Sequence, residues 1–124
     1  MYFQKDYLMR QIEDMVRFIA RVLFGKDLFK YEIIDEANLT QTDMLYAKLT
    51  ALVSQRKLCE AEDLLYESIE SGNADHARFA LDFYDAINAL SDDELESSNF
   101  SREEIKDGLK QITAILGVEI DGLF

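Results

Sequence analysis

The sequence contains one histidine and one cysteine, the side chains that most often carry proton-transfer or nucleophilic chemistry near neutral pH. His76 and Cys59 fall in different predicted helices, and neither stands at the spacing of a catalytic pair or a zinc site. We expect His76 to lie at the exposed start of a helix. We expect Cys59 to be a small core residue, the commoner role of a cysteine on a helical hairpin. The sequence therefore predicts no catalytic residue and no enzymatic activity.

Acidic residues concentrate near the C-terminal third of the chain, and this cluster is the best candidate for a metal site because hard cations bind carboxylate oxygens. Its members are Asp92, Asp93, Glu94, Glu96, Glu103, Glu104 and Asp107. Ser91 and Ser101 each precede a glutamate by three residues, which is the capping-box pattern of a helix N-terminus. The glycine of a calcium-binding loop is missing, and the five glycines are scattered. We therefore predict solvated caps, with no metal and no cofactor.

The first helix carries the clearest indication of association. Residues 7–24 contain no Gly or Pro, and their apolar side chains cover roughly 200° of the helix circumference. Such a face must be covered by the rest of the chain, by a second copy or by a membrane surface. We predict self-association first, intramolecular packing second and a membrane surface third. The predicted interaction residues are the apolar Leu8, Ile12, Met15, Ile19 and Leu23, and the opposite ridge of Arg10, Arg17 and Arg21.

Charge is distributed unevenly along the 124 residues, whose net charge is −12. Residues 1–30 carry six basic and four acidic side chains, whereas residues 31–124 carry seven and twenty-one. An acidic body repels nucleic-acid phosphates, so we expect no nucleic-acid partner. A lone cysteine fits a reducing cytoplasm. Charged residues interrupt the first helix, and the N-terminus lacks the pattern of a signal peptide, so we predict a cytoplasmic protein.

Apolar periodicity and helix-ending residues predict an all-α fold, a single-domain antiparallel helical array over residues 1–124. An amphipathic N-terminal helix occupies residues 1–25 and ends at Gly25, and a connector follows over residues 26–41. The helical body spans residues 42–117, with Thr40 as N-cap of its first helix and Gly117 at its end. Its helix over residues 74–90 is the least polar and is predicted to be central. Gly108 lies inside the last helix and allows a close approach by another helix. The apolar tail, residues 118–124, is expected to dock on the body or on a second chain.

Residues 42–73 form a predicted helical hairpin that resembles a tetratricopeptide repeat. With Ala61 placed on the small position of the second helix, apolar residues occupy the other positions that the pattern requires. These are Leu45, Leu52, Leu58 and Leu65. Leu49 and Ser68 depart from the pattern, and the chain has no clean second copy. One such unit cannot bury its own face.

A broader resemblance covers nearly the whole chain. It rests on residues 6–13, 23–26, 61–65 and 99–105, which are similar to stretches of a family of small uncharacterised proteins from Firmicutes bacteria. The resemblance implies an all-helical cytoplasmic protein with a tetratricopeptide-like hairpin, and it carries no functional residues across. The predicted function is a non-enzymatic protein–protein interaction module, a homodimer through the first helix. Peripheral membrane association through the same helix is the alternative.

Overall fold

The computed structural model describes residues 2–26, 30–118 and 120. This part of the chain contains six helices and no strand, which confirms the predicted all-α antiparallel array. The helices are α1 (Tyr2–Phe24), α2 (Gln41–Ser54), α3 (Leu58–Ser68), α4 (Ala74–Asn88), α5 (Asp92–Ser97) and α6 (Arg102–Leu116).

The helix ends follow the capping residues of the sequence. Thr40 and Ser91 form reciprocal capping boxes with Asp43 and Glu94, which satisfies backbone N–H groups that the first turn leaves unpaired. Ser101 caps α6 by accepting from the Glu104 backbone N–H. Gly25 and Gly117 follow α1 and α6 with φ of 73° and 82°, the left-handed conformation that a glycine adopts without a Cβ penalty. α1 lies within the predicted N-terminal helix of residues 1–25.

Helix α4 lies at the centre of the fold and packs against α1, α2 and α6. Phe79, Leu81, Tyr84 and Ile87 of this helix are fully buried. A helix surrounded on three sides needs apolar side chains around most of its circumference, which is what its sequence shows. The prediction of a central fourth helix is confirmed.

The chain itself covers the apolar face of α1. Ile12, Met15 and Ile19 are 0% exposed within the single chain, because α1 packs on both α4 and α6. Leu8 and Leu23 are half-buried at the ends of the same face. The width of this face does require more than one neighbour, but both neighbours are intramolecular. The face that predicted self-association is thus already buried.

Contacts at both ends of α4 show the direction in which α1 runs relative to it. The Asn88 side-chain amide donates to the Met9 carbonyl at 3.0 Å, and the Arg78 guanidinium lies 4.6 Å from the centre of the Phe24 ring. Because the start of α1 meets the end of α4, and the reverse, the two helices run antiparallel.

Two segments outside the helices dock on the core. In the connector, Tyr31 is buried, its hydroxyl donates to Asp43, and its ring lies 4.8 Å from that of Tyr46. Burial and the Asp43 carboxylate raise the pKa of Tyr31 to about 12. In the tail, Val118 and Ile120 are buried in the same core, so these residues dock on the body of the chain. Residues 27–29, 119 and 121–124 lie outside the described residues.

Candidate interaction surface

His76 is buried, so its predicted exposure is wrong. Its Nδ1 accepts the Glu70 backbone N–H at 2.9 Å, and its ring lies 5.0 Å from the Phe79 ring. The imidazole ties the start of the α3–α4 connection to the first turn of α4 and satisfies a backbone donor there. Its acceptor nitrogen is therefore occupied by a structural bond.

Cys59 is exposed, so the prediction of a core residue is also wrong. On α3 the neighbouring Leu58 and Ala61 are the ones that turn to the core. Partial desolvation of the sulfur and, after it, the carboxylates of Glu104 and Glu62 raise the pKa of the thiol. A raised pKa favours the protonated thiol, which is the less nucleophilic form.

The acidic cluster caps helices and pairs with arginines. Glu94 closes the α5 capping box and accepts from the Arg56 guanidinium at 2.5 Å, and these bonds lower its pKa. Asp92 pairs with Arg102 at 3.2 Å. Within the described residues, no group of three or more His, Cys, Asp or Glu side chains is arranged to hold a metal ion.

Arg102 is buried and bonds the C-terminal end of α4, a role the sequence did not reveal. Its guanidinium donates to the carbonyls of Asn88 and Leu90, both at 2.8 Å, and to the Asn88 side-chain oxygen at 3.0 Å. Asn88 in turn reaches the backbone of Met9. One side chain at the start of α6 therefore joins α4, α5 and α1.

A second polar cluster joins α3, α4 and α6. The Tyr84 hydroxyl donates to Glu62 at 2.8 Å, and the Tyr66 hydroxyl donates to the Gly108 carbonyl at 3.3 Å. Burial raises the pKa of both Glu62 and Tyr84. A Cβ at Gly108 would lie 2.6 Å from the Tyr84 hydroxyl and closer still to the Glu62 carboxylate, so the glycine leaves room for both side chains. The close approach predicted at Gly108 is confirmed, and it comes from within the chain.

The outer side of α1 carries the arginines singled out by the sequence. Arg10, Arg17 and Arg21 are exposed and follow one another along the helix, and we call them the basic ridge. Arg17 forms an i,i+3 pair with Asp14 at 3.9 Å, and its side chain remains 54% exposed. An exposed pair at this distance holds an arginine weakly.

An apolar groove runs between α2 and α4. Its lining residues are Tyr46, Leu49, Thr50, Val53, Phe79, Asp82, Phe83 and Ala86. Leu49, Phe79 and Phe83 are buried, whereas Thr50 and Ala86 are exposed at the edges. Asp82 supplies a carboxylate at this groove and accepts from the Tyr46 hydroxyl at 2.9 Å. The cavity of about 80 Å³ is large enough for part of one side chain.

A polar cleft lies on the other side of α4, toward α1. Its volume is about 330 Å³, and it is lined by Met9, Glu13, Val16, Arg17, Asp85, Asn88 and Ala89. Burial raises the pKa of Asp85, Lys30 opposes this rise, and the carboxylates of Asp82 and Glu13 add to it. We call Asp82 and Asp85 the acidic strip. This strip lies between the apolar groove and the basic ridge.

The predicted interaction residues thus separate into two sets. Ile12, Met15 and Ile19 belong to the core, and the basic ridge belongs to the surface. The groove between α2 and α4 was not predicted, because it depends on how two helices pack. In the sequence, the apolar residues that line the groove cannot be distinguished from residues of the core.

No helix among the described residues is both long enough and apolar enough to cross a membrane.

Comparison with known proteins shows the family to which the chain belongs. No curated protein and no solved structure matches the chain. A family model described as a family of unknown function, DUF6483, matches residues 2–117. The chain therefore belongs to this family of unknown function, DUF6483.

Proposed function

We propose that this chain is a non-enzymatic protein-interaction module that binds an apolar side chain flanked by basic residues in the groove between α2 and α4. The observation that carries the proposal is the groove itself. Its lining is almost wholly apolar, it opens to solvent at Thr50 and Ala86, and a carboxylate stands beside it at Asp82. A cavity of about 80 Å³ is smaller than the roughly 300–1,000 Å³ of a small-molecule pocket, so the groove suits one side chain of a protein partner and not a whole small molecule.

The polar side chains that could serve catalysis are engaged in structure. His76 accepts a backbone N–H, the Cys59 thiol has a raised pKa, and Arg102 caps a helix end. Glu62 and Tyr84 bond each other inside the fold. A nucleophile, a base and an open pocket do not converge in the described part of the chain, and this supports binding over catalysis.

The chemistry of the partner follows from the surroundings of the groove. Asp82 and Asp85 lie close together on α4, and the protein as a whole carries a net charge of −12. A partner that brings Lys or Arg beside its apolar anchor gains from this field, whereas an acidic partner is repelled. A reducing cytoplasmic setting, which suits the exposed Cys59, belongs to the same proposal.

The connector shows which kind of side chain the region accepts. Tyr31 is seated at the Phe79 end of the groove, 4.8 Å from Tyr46 and 6.1 Å from Phe79 between ring centres, with its hydroxyl on a carboxylate. A partner side chain with an apolar body and a donor at its tip would repeat this arrangement at Asp82.

The membrane alternative relied on the apolar face of α1. Ile12 and Ile19 would have to leave the core before that face could enter a lipid interface. Burying apolar surface stabilises by roughly 25 cal/mol per Å², whether the surface is buried in the core or in lipid. Moving these side chains from the core into lipid would therefore bring no net gain in free energy. The groove between α2 and α4 requires no such opening, and we propose it in preference.

A peptide-display selection against the immobilised protein tests the proposal. We expect the selected peptides to share a leucine, aromatic or long basic anchor with Lys or Arg beside it. Ala86→Glu, which places a carboxylate in the groove, should abolish their binding, and Asp82→Asn should weaken the preference for basic residues. The matched control is Ala47→Glu, because Ala47 is exposed on α2 outside the groove lining. Peptides that bind the Ala86→Glu variant as well as the parent would refute the proposal.

A further inference from the structure

We infer that the partner of the groove is a second copy of this chain, whose basic ridge docks on the groove and acidic strip to form a two-fold dimer. This inference rests on the function proposed above and names its partner. The contribution of the second copy is Arg17, with Arg10 beside it on the same ridge.

The arrangement on one face of the molecule carries the inference. The apolar groove opens on one side of the exposed strip of α4, and the polar cleft that contains Arg17 opens on the other. Asp82 lines the groove and Asp85 lines the cleft. A positive half and a negative, apolar half therefore lie side by side on one surface.

A surface of this kind is complementary to itself. A two-fold rotation about an axis between the basic ridge and the acidic strip places the basic ridge of each copy over the acidic strip and the edge of the groove of the other. The same contact then forms twice, and the assembly closes as a dimer. Local pairing of this kind offsets the repulsion between two chains that each carry a net charge of −12.

An arginine fits the groove as well as an apolar residue does. Its aliphatic stem packs on apolar surface while the guanidinium reaches a carboxylate, and its plane stacks on aromatic rings. The same chain shows this mode within itself, where the Arg78 guanidinium lies 4.6 Å from the centre of the Phe24 ring. In the groove, Tyr46 and Phe83 offer the rings, and Asp82 offers an acceptor.

The size of the cavity also fits a single arginine side chain. A cavity of about 80 Å³ is too small for a whole helix and suits the stem of one side chain. Arg17 is 54% exposed, and its pair with Asp14 at 3.9 Å is weak enough to be exchanged for a partner on the second copy.

Sedimentation analysis of charge-reversal variants tests the inference. We expect the parent to associate as a dimer at micromolar concentration. Arg17→Glu and Asp82→Lys should each weaken the dimer about tenfold or more, because each reversal acts at two symmetric contacts. A one-to-one mixture of the two variants should restore the dimer to about the parent level, since opposite charges face each other again at both contacts.

Matched controls separate the local contact from net charge. Lys57→Glu and Glu67→Lys change the net charge by the same amounts at exposed positions outside the groove and cleft. They should leave the dimerisation constant within about twofold of the parent. Salt is a poorer probe, because it screens both the pairing and the repulsion between two acidic chains. Melting curves of all variants establish that each one is folded.

The outcomes distinguish this inference from the proposed function. A parent that stays a 14.3 kDa monomer at micromolar concentration, or a mixture that fails to restore association, overturns the inference. Selected peptides that still require an intact groove would then uphold the proposed function alone. If peptides bind without the groove and the parent is monomeric, both are refuted.

Discussion

Arg102 is the residue whose replacement best tests the reasoning about the fold. Its side chain is only 8% exposed, and its guanidinium binds the last carbonyl of α4 at Asn88, the Leu90 carbonyl just beyond the helix, the Asn88 side chain and Asp92. The last carbonyls of a helix have no intrahelical partner, so this side chain satisfies one of them and also holds the turn that follows the helix. We predict that Arg102→Ala is among the most destabilising single substitutions.

The expected loss of stability follows from the acceptors that Arg102→Ala leaves without a donor. The carbonyls of Asn88 and Leu90 and the Asn88 side-chain oxygen each lose a donor. An acceptor left unsatisfied costs about 1–3 kcal/mol. Water can reach this region through the cleft lined by Met9, Leu90 and Arg102, so the lower figure applies to each acceptor. The sum is about 3 kcal/mol, which corresponds to a fall of about 10–20 °C in Tm for a domain of this size.

Chemical denaturation monitored by circular dichroism measures this loss, and two further variants interpret it. Arg102→Lys keeps the charge but cannot reproduce the planar fork, so it should recover less than half of the loss. Arg78→Gln, at an exposed pair with Asp75, should cost at most about 1 kcal/mol. If Arg102→Ala unfolds at the same denaturant concentration as Arg78→Gln, the network does not hold the helices together as argued.

Three further predictions concern the other polar clusters. Gly108→Ala gains about 1 kcal/mol in helix propensity, but its Cβ would lie 2.6 Å from the Tyr84 hydroxyl and closer still to Glu62, so the net result in denaturant titrations should be a loss of up to about 2 kcal/mol. Tyr84→Phe should lessen that loss. Glu62 has a raised pKa in the fold, so its contribution to stability is present below the usual value of 4.5 and is lost as the pH rises through the folded-state pKa. Glu62→Gln should flatten this part of the stability–pH curve, and an unchanged curve would contradict the burial of the carboxyl. Tyr31 has its pKa raised to about 12, so the stability it contributes is lost between about pH 10 and 12. Tyr31→Phe should lessen that loss and reduce the late step in tyrosinate absorbance by one tyrosine, while Tyr46, Tyr66 and Tyr84, whose pKa values are also raised, keep the rest.

Local sequence patterns predicted the helices well because the physical causes are local. Thr40, Ser91 and Ser101 satisfy N–H groups within three residues of themselves, and Gly25 and Gly117 end helices through their own backbone conformation. The central position of α4 followed from its narrow polar strip. None of these inferences requires knowledge of how distant segments meet.

The two wrong predictions concern side chains whose surroundings come from distant segments. His76 stands at a helix start, where exposure is common, but the chain leaving α3 passes close enough for its backbone N–H to use the imidazole. Cys59 lies beside core residues on α3, and the rotation of that helix, set by its packing, leaves the thiol outside. The spacing of apolar residues predicts that a segment is helical. It predicts less well which side chains at the edge of the apolar face are turned toward the neighbouring helices.

The networks around Arg102 and Glu62 could not be found from the sequence for a related reason. Their members are fourteen and twenty-two residues apart, at Asn88 and Arg102 and at Glu62 and Tyr84. Buried arginine and glutamate are rare, so their types alone predict exposure. Gly108 was the one residue that indicated a close contact from the sequence alone. A glycine inside a helix destabilises it by about 1 kcal/mol relative to alanine, so its presence suggests that a side chain there would not fit.

The burial of the α1 face changes what association must depend on. The sequence predicts association through the apolar face of α1, with the basic ridge on the opposite side of the helix. With that face closed by α4 and α6, the surface that α1 still offers is its basic ridge. Association through α1 must then draw on charge pairing and on arginine stems packed against apolar surface, both of which the groove and acidic strip supply. In the dimer proposed above, the uneven charge of the chain supplies the attraction between the two copies.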